Sequence, residues 1–241
     1  MTSPTSVSYE IAGQLRKEIV GGRFRVGDRM ASERDLAARF SVSRGAIREA
    51  LSQLEQQGII EIQPGGARVK PLEEASLAVL GPLLTLEEVP DPELVDQFLE
   101  IFSVLTALTV KGAVEQATTE QMNRLQEMLV SIANSADDFE AMQPHWQAML
   151  DFMAGIDNNL VARLIGNDLK AQILGPMLQL KIRPDLSLQA GPELVKTLRV
   201  GFLQQDGSLA AAAFENYFDQ LRTAMRVALQ DRRVSYRQKA L

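Results

Sequence analysis

Two arginines four residues apart, Arg44 and Arg48, stand near the start of SVSRGAIREALSQLEQQG, residues 41–58, with Ser43 before them and Gly45 between. A guanidinium is planar and always charged. It can clamp a phosphate or take guanine O6 and N7 through two parallel hydrogen bonds. A serine at a helix start offers both a donor and an acceptor, and a glycine lets another molecule come close. Ile47, Leu51 and Leu54 recur at helical spacing, which puts the arginines on the opposite, solvent-facing side. By itself such a pair is an ordinary solvated face. Its surroundings decide whether it is more.

The residues before it predict two further helices. Ser8 to Val20 carries Ile11, Ala12, Leu15, Ile19 and Val20 at helical spacing and ends at Gly21-Gly22. Ser32 is a helix N-cap, with Glu33 and Asp35 placed to complement the helix dipole over residues 33–40. Leu36, Ala37 and Phe40 form the apolar side of that helix. Only Ser41-Val42 separates it from the helix opening at Ser43, which is the spacing of a helix-turn-helix. After Gly58, a helix-ending glycine, come Ile59, Ile60 and Ile62, then Pro64-Gly65-Gly66 and Ala67 to Lys70. These read as a β-hairpin with a glycine turn.

Helix, helix-turn-helix and hairpin in that order are the elements of a winged helix. In that arrangement the second helix of the pair enters a major groove and its N-terminal residues meet base edges. Ser43, Arg44, Gly45 and Arg48 are then the candidate DNA-reading residues, with Arg34 reaching from the preceding helix. Gly65 and Gly66 at the hairpin tip suit a minor groove, flanked by Arg68 and Lys70 for the backbone.

Charge is divided in the same sense. Residues 1–70 hold eleven Lys/Arg against eight Asp/Glu, while the rest holds fourteen against twenty-three. A basic segment joined to an acidic body suggests two units with different partners. We therefore expect a DNA-binding domain over 1–72, a linker over 73–90 and a second domain over 91–241. After Pro71 no strand pattern occurs; helices are expected at about 92–115, 119–133, 137–155, 159–180, 191–206 and 208–231. Pro144 and Gly175-Pro176 should kink or split theirs, and a break is expected at Arg183-Pro184-Asp185. The fold class is thus mainly α: a winged helix-turn-helix followed by an all-α helical bundle.

Several chemistries are unsupported. There is no cysteine, one histidine (His145), no glycine-rich phosphate loop and no GxSxG, so an enzyme is not expected. No run of about eighteen apolar residues occurs, and MTSPTSVSYE lacks the basic and apolar regions of a signal peptide. The expectation is a cytoplasmic protein without a membrane partner.

The stretch YEIAGQLRKEIVGGRFRVGDRMASERDLAARFSVSRGAIREALSQLEQQGIIEIQPGGARV resembles the N-terminal winged helix of the GntR family of bacterial transcription regulators. The match runs from Gly27 through Ser32-Glu33-Arg34 to Ser43-Arg44, Arg48-Glu49-Ala50-Leu51, Leu54 and Gly58. By position, the resemblance implies DNA contacts from Arg34, Ser43, Arg44, Gly45 and Arg48, and from Gly65 in the wing. An all-helical second domain resembles the FadR subfamily. Its larger branch carries a metal held by an aspartate and three histidines. Here His145 stands where the aspartate would be and Met149 where one histidine would be, so neither metal nor other cofactor is expected. The layout is closer to the metal-free branch, which implies a small-molecule effector such as a fatty acyl-CoA or an organic acid.

Read physically, a pocket in the bundle would be lined by Met149, Phe152, Met153, Phe214, Tyr217 and Phe218, with His145, Trp146, Asn158 or Arg222 as polar handles. Methionines and aromatics at that spacing serve equally as plain core. The expected partners are a double-stranded operator, a small-molecule effector and a second copy of the chain. The alternative is a regulator whose helical domain only dimerises or binds a protein.

Overall fold

The computed structural model describes residues 4–135, 139–180, 184 and 190–239. Its chain contacts divide into two units: Met1–Pro90 with Lys170–Gln179, and Asp91–Leu169 with Leu180–Leu241.

In the first unit, α1 (Pro4–Val20), α2 (Glu33–Phe40) and α3 (Arg44–Gln56) precede a hairpin of β1 (Ile60–Gln63) and β2 (Gly66–Val69). The helices form where caps and apolar spacing agree. Ser32 Oγ accepts from the Asp35 amide at 3.2 Å, and Ser43 Oγ from the Ala46 amide at 3.2 Å, so each serine satisfies an orphan donor. The turn between α2 and α3 is as short as the sequence implies. Ser41 adopts φ +56°, and the Ser41 and Val42 amides close back on Ala38 and Ala37 carbonyls in a Schellman-type stop. Ile11, Leu15 and Ile19 of α1 meet Leu36 of α2, Ile47, Leu51 and Leu54 of α3, and Ile60 and Val69 of the hairpin in one buried core.

The hairpin is antiparallel, with Ile60 opposite Val69 and Gln63 opposite Gly66. A third extended segment supports it. The Gly27 amide bonds to the Val69 carbonyl, the Met30 amide to that of Ala67, and Arg29 bridges to Arg68. Across the segment read as a linker, 73–90, turns at Leu72–Glu74 and Leu77–Val79 lead into a short helix, α4 (Leu80–Leu84). Val79 joins the first unit's core, and α4 lies against α1.

The second unit contains α5 (Pro92–Gln116), α6 (Thr119–Asn134), α7 (Phe139–Asp157), part of α8 (Leu160–Leu180), α9 (Ala190–Gln204) and α10 (Gly207–Lys239). Two starts are fixed by side chains. Asp91 caps α5 with Pro92 in its first turn, and Thr118 and Gln121 form a reciprocal capping box at α6. α5 is the central element, packed against α7 and α10, while α9 lies against α6 and α10. Helices α7 and α8 run on through Pro144 and Gly175-Pro176 instead of splitting there, and α10 continues past residue 231 to Lys239. The expected helix start at 137 and the break residues Arg183 and Asp185 lie outside the described residues.

By length and composition α5 is apolar enough to cross a membrane, a property no continuous apolar run in the sequence announces. It is instead a core helix that carries a charged clamp. Asp96, 7% exposed, takes two bonds from Arg222 of α10, at 3.1 and 2.9 Å, and lies 3.0 Å from Arg226.

Candidate nucleic-acid interface

The start of α3 brings the expected residues to the surface together. Arg44, Gly45 and Arg48 are exposed, while Ile47, Ala50, Leu51 and Leu54 are buried on the other side of the helix. Docking α3 on its apolar face therefore fixes which way the arginines point. Ser43 is occupied as the cap of α3, which holds its backbone at the helix start. A Cβ on Gly45 would meet only Ser43 Oγ, at 3.7 Å. Among the described residues nothing else stands within 4 Å of that position, which is open to solvent.

Electrostatics differ among the arginines. Arg48 Nη2 and Nε donate to the two Glu33 carboxylate oxygens at 3.0 and 3.3 Å, joining the start of α2 to α3. That bonding, reinforced by the Arg48 and Arg44 charges, holds the Glu33 carboxyl below the usual carboxylate range. Arg34 lies 3.5 Å from Asp35, with both side chains largely exposed. The hydroxyl of Ser32 donates to Asp35 at 2.6 Å and is the main reason that carboxyl is held down.

In the wing, Pro64-Gly65 forms the tip, and Gly65 and Gly66 have φ of +106° and +123°, which side-chain-bearing residues rarely adopt. Arg68 is exposed and its Nη1 donates to the Gly27 carbonyl at 2.9 Å. Lys70 pairs with Glu74 at 2.8 Å. Arg29 was not among the residues singled out in the sequence. It precedes α2, and the pairing of its segment with the hairpin, including its own bridge to Arg68, brings it to the wing.

The residues proposed for an effector occupy several settings. Met149 and Met153 are fully buried, and Phe214 and Phe218 nearly so. Trp146 meets Phe214 edge-on at 5.7 Å, Tyr217 meets Phe218 at 6.1 Å, and Phe102 meets Phe218 at 5.7 Å. Phe152 is partly buried, as is Tyr217, whose phenol burial pushes up. His145 and Asn158 are exposed, and Asn158 takes φ +53° at the end of α7. Arg222 is engaged by Asp96, with Glu100 at 3.5 Å and Asp219 at 3.9 Å. A cleft of about 590 Å³ lies elsewhere, between the start of α5 and the distal part of α10, beside Asp91, Glu93, Arg226, Gln230 and Arg233. The aspartate-and-three-histidine metal set does not fit this chain. Among the described residues no three His, Asp or Glu side chains converge.

A capped recognition helix, a two-residue turn before it and a supported hairpin after it define a winged helix-turn-helix DNA-binding domain. Residues 8–69 match the family described as bacterial regulatory proteins, gntR family. The chain is 32% identical over 122 residues to the HTH-type transcriptional regulator LutR of Bacillus subtilis, an alignment covering 51% of this chain and 55% of LutR. It is 31% identical over 134 residues to the HTH-type transcriptional repressor NanR of Klebsiella aerogenes, covering 55% and 51%. The chain thus spans about half the length of these curated relatives. The fold as a whole resembles that of Lar, which controls expression of the Listeria monocytogenes agr system, with TM-score 0.55, 14% identity and coverage of 96% and 98%.

Proposed function

We propose that this chain is a homodimeric, sequence-specific DNA-binding transcription regulator, working in the cytoplasm and controlled through its helical domain. The observation that carries it is the exposure of Arg44, Gly45 and Arg48 together on a recognition helix. Arg44 and Arg48 are the base-edge or phosphate donors, Ser43 sets the helix start, Arg34 contacts the backbone and Gly65-Gly66 let the wing enter a groove. NanR is named a repressor and LutR a regulator, which supports repression as the mode of control. We place the helical domain with the FadR subfamily and assign it a small-molecule effector, an acyl-CoA or organic acid. Its contacts would come from His145, Trp146, Met149, Phe152, Asn158, Tyr217 and Arg222.

A second copy is needed because helix-turn-helix proteins read two half-sites about one turn apart. Ile101, Val104 and Leu108 support it. They are 55%, 59% and 49% exposed and form one stripe along α5. A second reading, in which the helical domain only dimerises or binds a protein, is favoured by the full burial of Met149 and Met153, which marks them as core.

Selection of duplexes from a random pool tests the DNA reading. The wild-type protein should enrich a two-half-site sequence, and Arg44→Ala and Arg48→Ala should each abolish that preference while retaining the native circular dichroism spectrum. Retention of the same footprint by both variants would remove α3 as the reading element. Native mass spectrometry tests the effector. A co-purifying acyl-CoA or small acid supports sensing, and apo dimer alone supports the second reading.

A further inference from the structure

The wing carries two arginines side by side whose guanidinium groups go to different places. Arg29 and Arg68 are bridge partners, and Glu61 faces Arg68 across the hairpin. Cross-strand partners share a face, and all three residues are exposed. Arg68 is tied down: its Nη1 donates to the Gly27 carbonyl at 2.9 Å, in the supporting segment. Arg29 instead lies over the hairpin beside its turn. An ideal Cβ on Gly66 would sit 3.1 Å from Arg29 Nε, 3.5 Å from Nη2 and 3.8 Å from Cζ. The absent side chain of Gly66 is therefore the seat of the Arg29 guanidinium.

We propose that Arg29 is the cation through which the wing grips the DNA backbone, and that Arg68 is a strut fastening the hairpin to Gly27. This assignment rests on the DNA-binding reading above. Arg34, Arg48 and Lys70 each lie within 3.5 Å of a carboxylate, whereas among the described residues no such pair involves Arg29. A paired cation gives up its carboxylate before it can neutralise a phosphate. Among the described residues Arg29 has no carboxylate to give up. Its seat on Gly66 also limits the freedom the side chain loses on binding. Each phosphate so neutralised releases counterions, which makes the contact readable as a salt dependence.

The test uses the full-length protein and a duplex of about 30 bp that the wild type selects from a random pool, long enough for two half-sites. Binding is followed by fluorescence anisotropy across a range of KCl concentrations, on the selected and a scrambled duplex. Arg29→Met keeps the stem over Gly66 and removes the charge. With two wings per dimer, it should lower the slope of log K against log salt by about 1.8, weakening both duplexes roughly sixtyfold near 0.1 M salt. Arg29→Lys should restore the slope, which a purely structural role would not predict. Arg68→Met, which removes the strut and leaves Arg29 in place, should lower the slope by less than Arg29→Met does. An unchanged slope in Arg29→Met overturns the assignment, as does loss of slope in Arg68→Met alone. Failure of the wild type to select any duplex overturns the DNA reading itself. Loss of selection in Arg44→Ala beside an unchanged slope in Arg29→Met overturns the Arg29 assignment only.

Discussion

On the proposed reading, Arg48 meets DNA by exchanging partners. In the free protein Glu33 holds its guanidinium through two bonds, and a phosphate or guanine edge must outcompete that carboxylate. Exposed pairs are individually weak, so the competition is mild and acts chiefly on sequence-independent binding. Glu33→Gln should raise affinity for a scrambled duplex roughly two- to threefold and reduce discrimination, as read by anisotropy on scrambled and selected duplexes. Asp96 is the opposite case, a carboxylate buried beneath two arginines, which hold it below the usual range, chiefly through the Arg222 hydrogen bond. Asp96→Asn should cost about 3 kcal/mol, because Arg222 and Arg226 lose their common partner. A depressed folded-state carboxyl contributes stability above its unfolded value near 3.8, and loses it as pH falls through the lower folded value. The gap between wild type and Asp96→Asn in urea midpoint should therefore be full at pH 6 and shrink below about pH 4.

At the scale of the element, α3 does two jobs with two faces. Leu54 is fully buried in the first unit's core, so Leu54→Ala should cost about 2–5 kcal/mol in denaturant unfolding and weaken DNA binding only through the loss of folded protein. Ser43→Ala should cost about 1 kcal/mol by removing the cap. Much of this was legible before any coordinates. Apolar spacing, cap serines and the Ser41-Val42 turn are local signals, and each was read from a few neighbouring residues. The wing was legible as a hairpin and incompletely as a site. Arg68 follows the glycine turn directly, while Arg29 lies some forty residues earlier and reaches the wing only through long-range pairing of its segment with the hairpin. Of the kink or split expected at Pro144 and Gly175-Pro176, the split does not occur: α7 and α8 continue through them because tertiary packing can override one missing hydrogen bond.

For the whole molecule, the proposed dimer predicts a two-half-site footprint with centres about 10 bp apart or a multiple of it, measured by hydroxyl-radical cleavage. A charge in the middle of the α5 stripe, Val104→Glu, should lower the mass seen by light scattering toward the monomer and weaken operator binding, with helicity retained. The sequence by itself determined the order of elements, the basic character of residues 1–70 and the face of α3 that carries its arginines. These follow from helical periodicity, capping and composition, all properties of near neighbours. Only the tertiary structure decided which cations are already paired, that Arg222 is committed to Asp96, and that Arg29 rests on Gly66. Those outcomes depend on residues distant in the chain meeting within a few ångströms, where a charge is governed by the partner that folding places beside it.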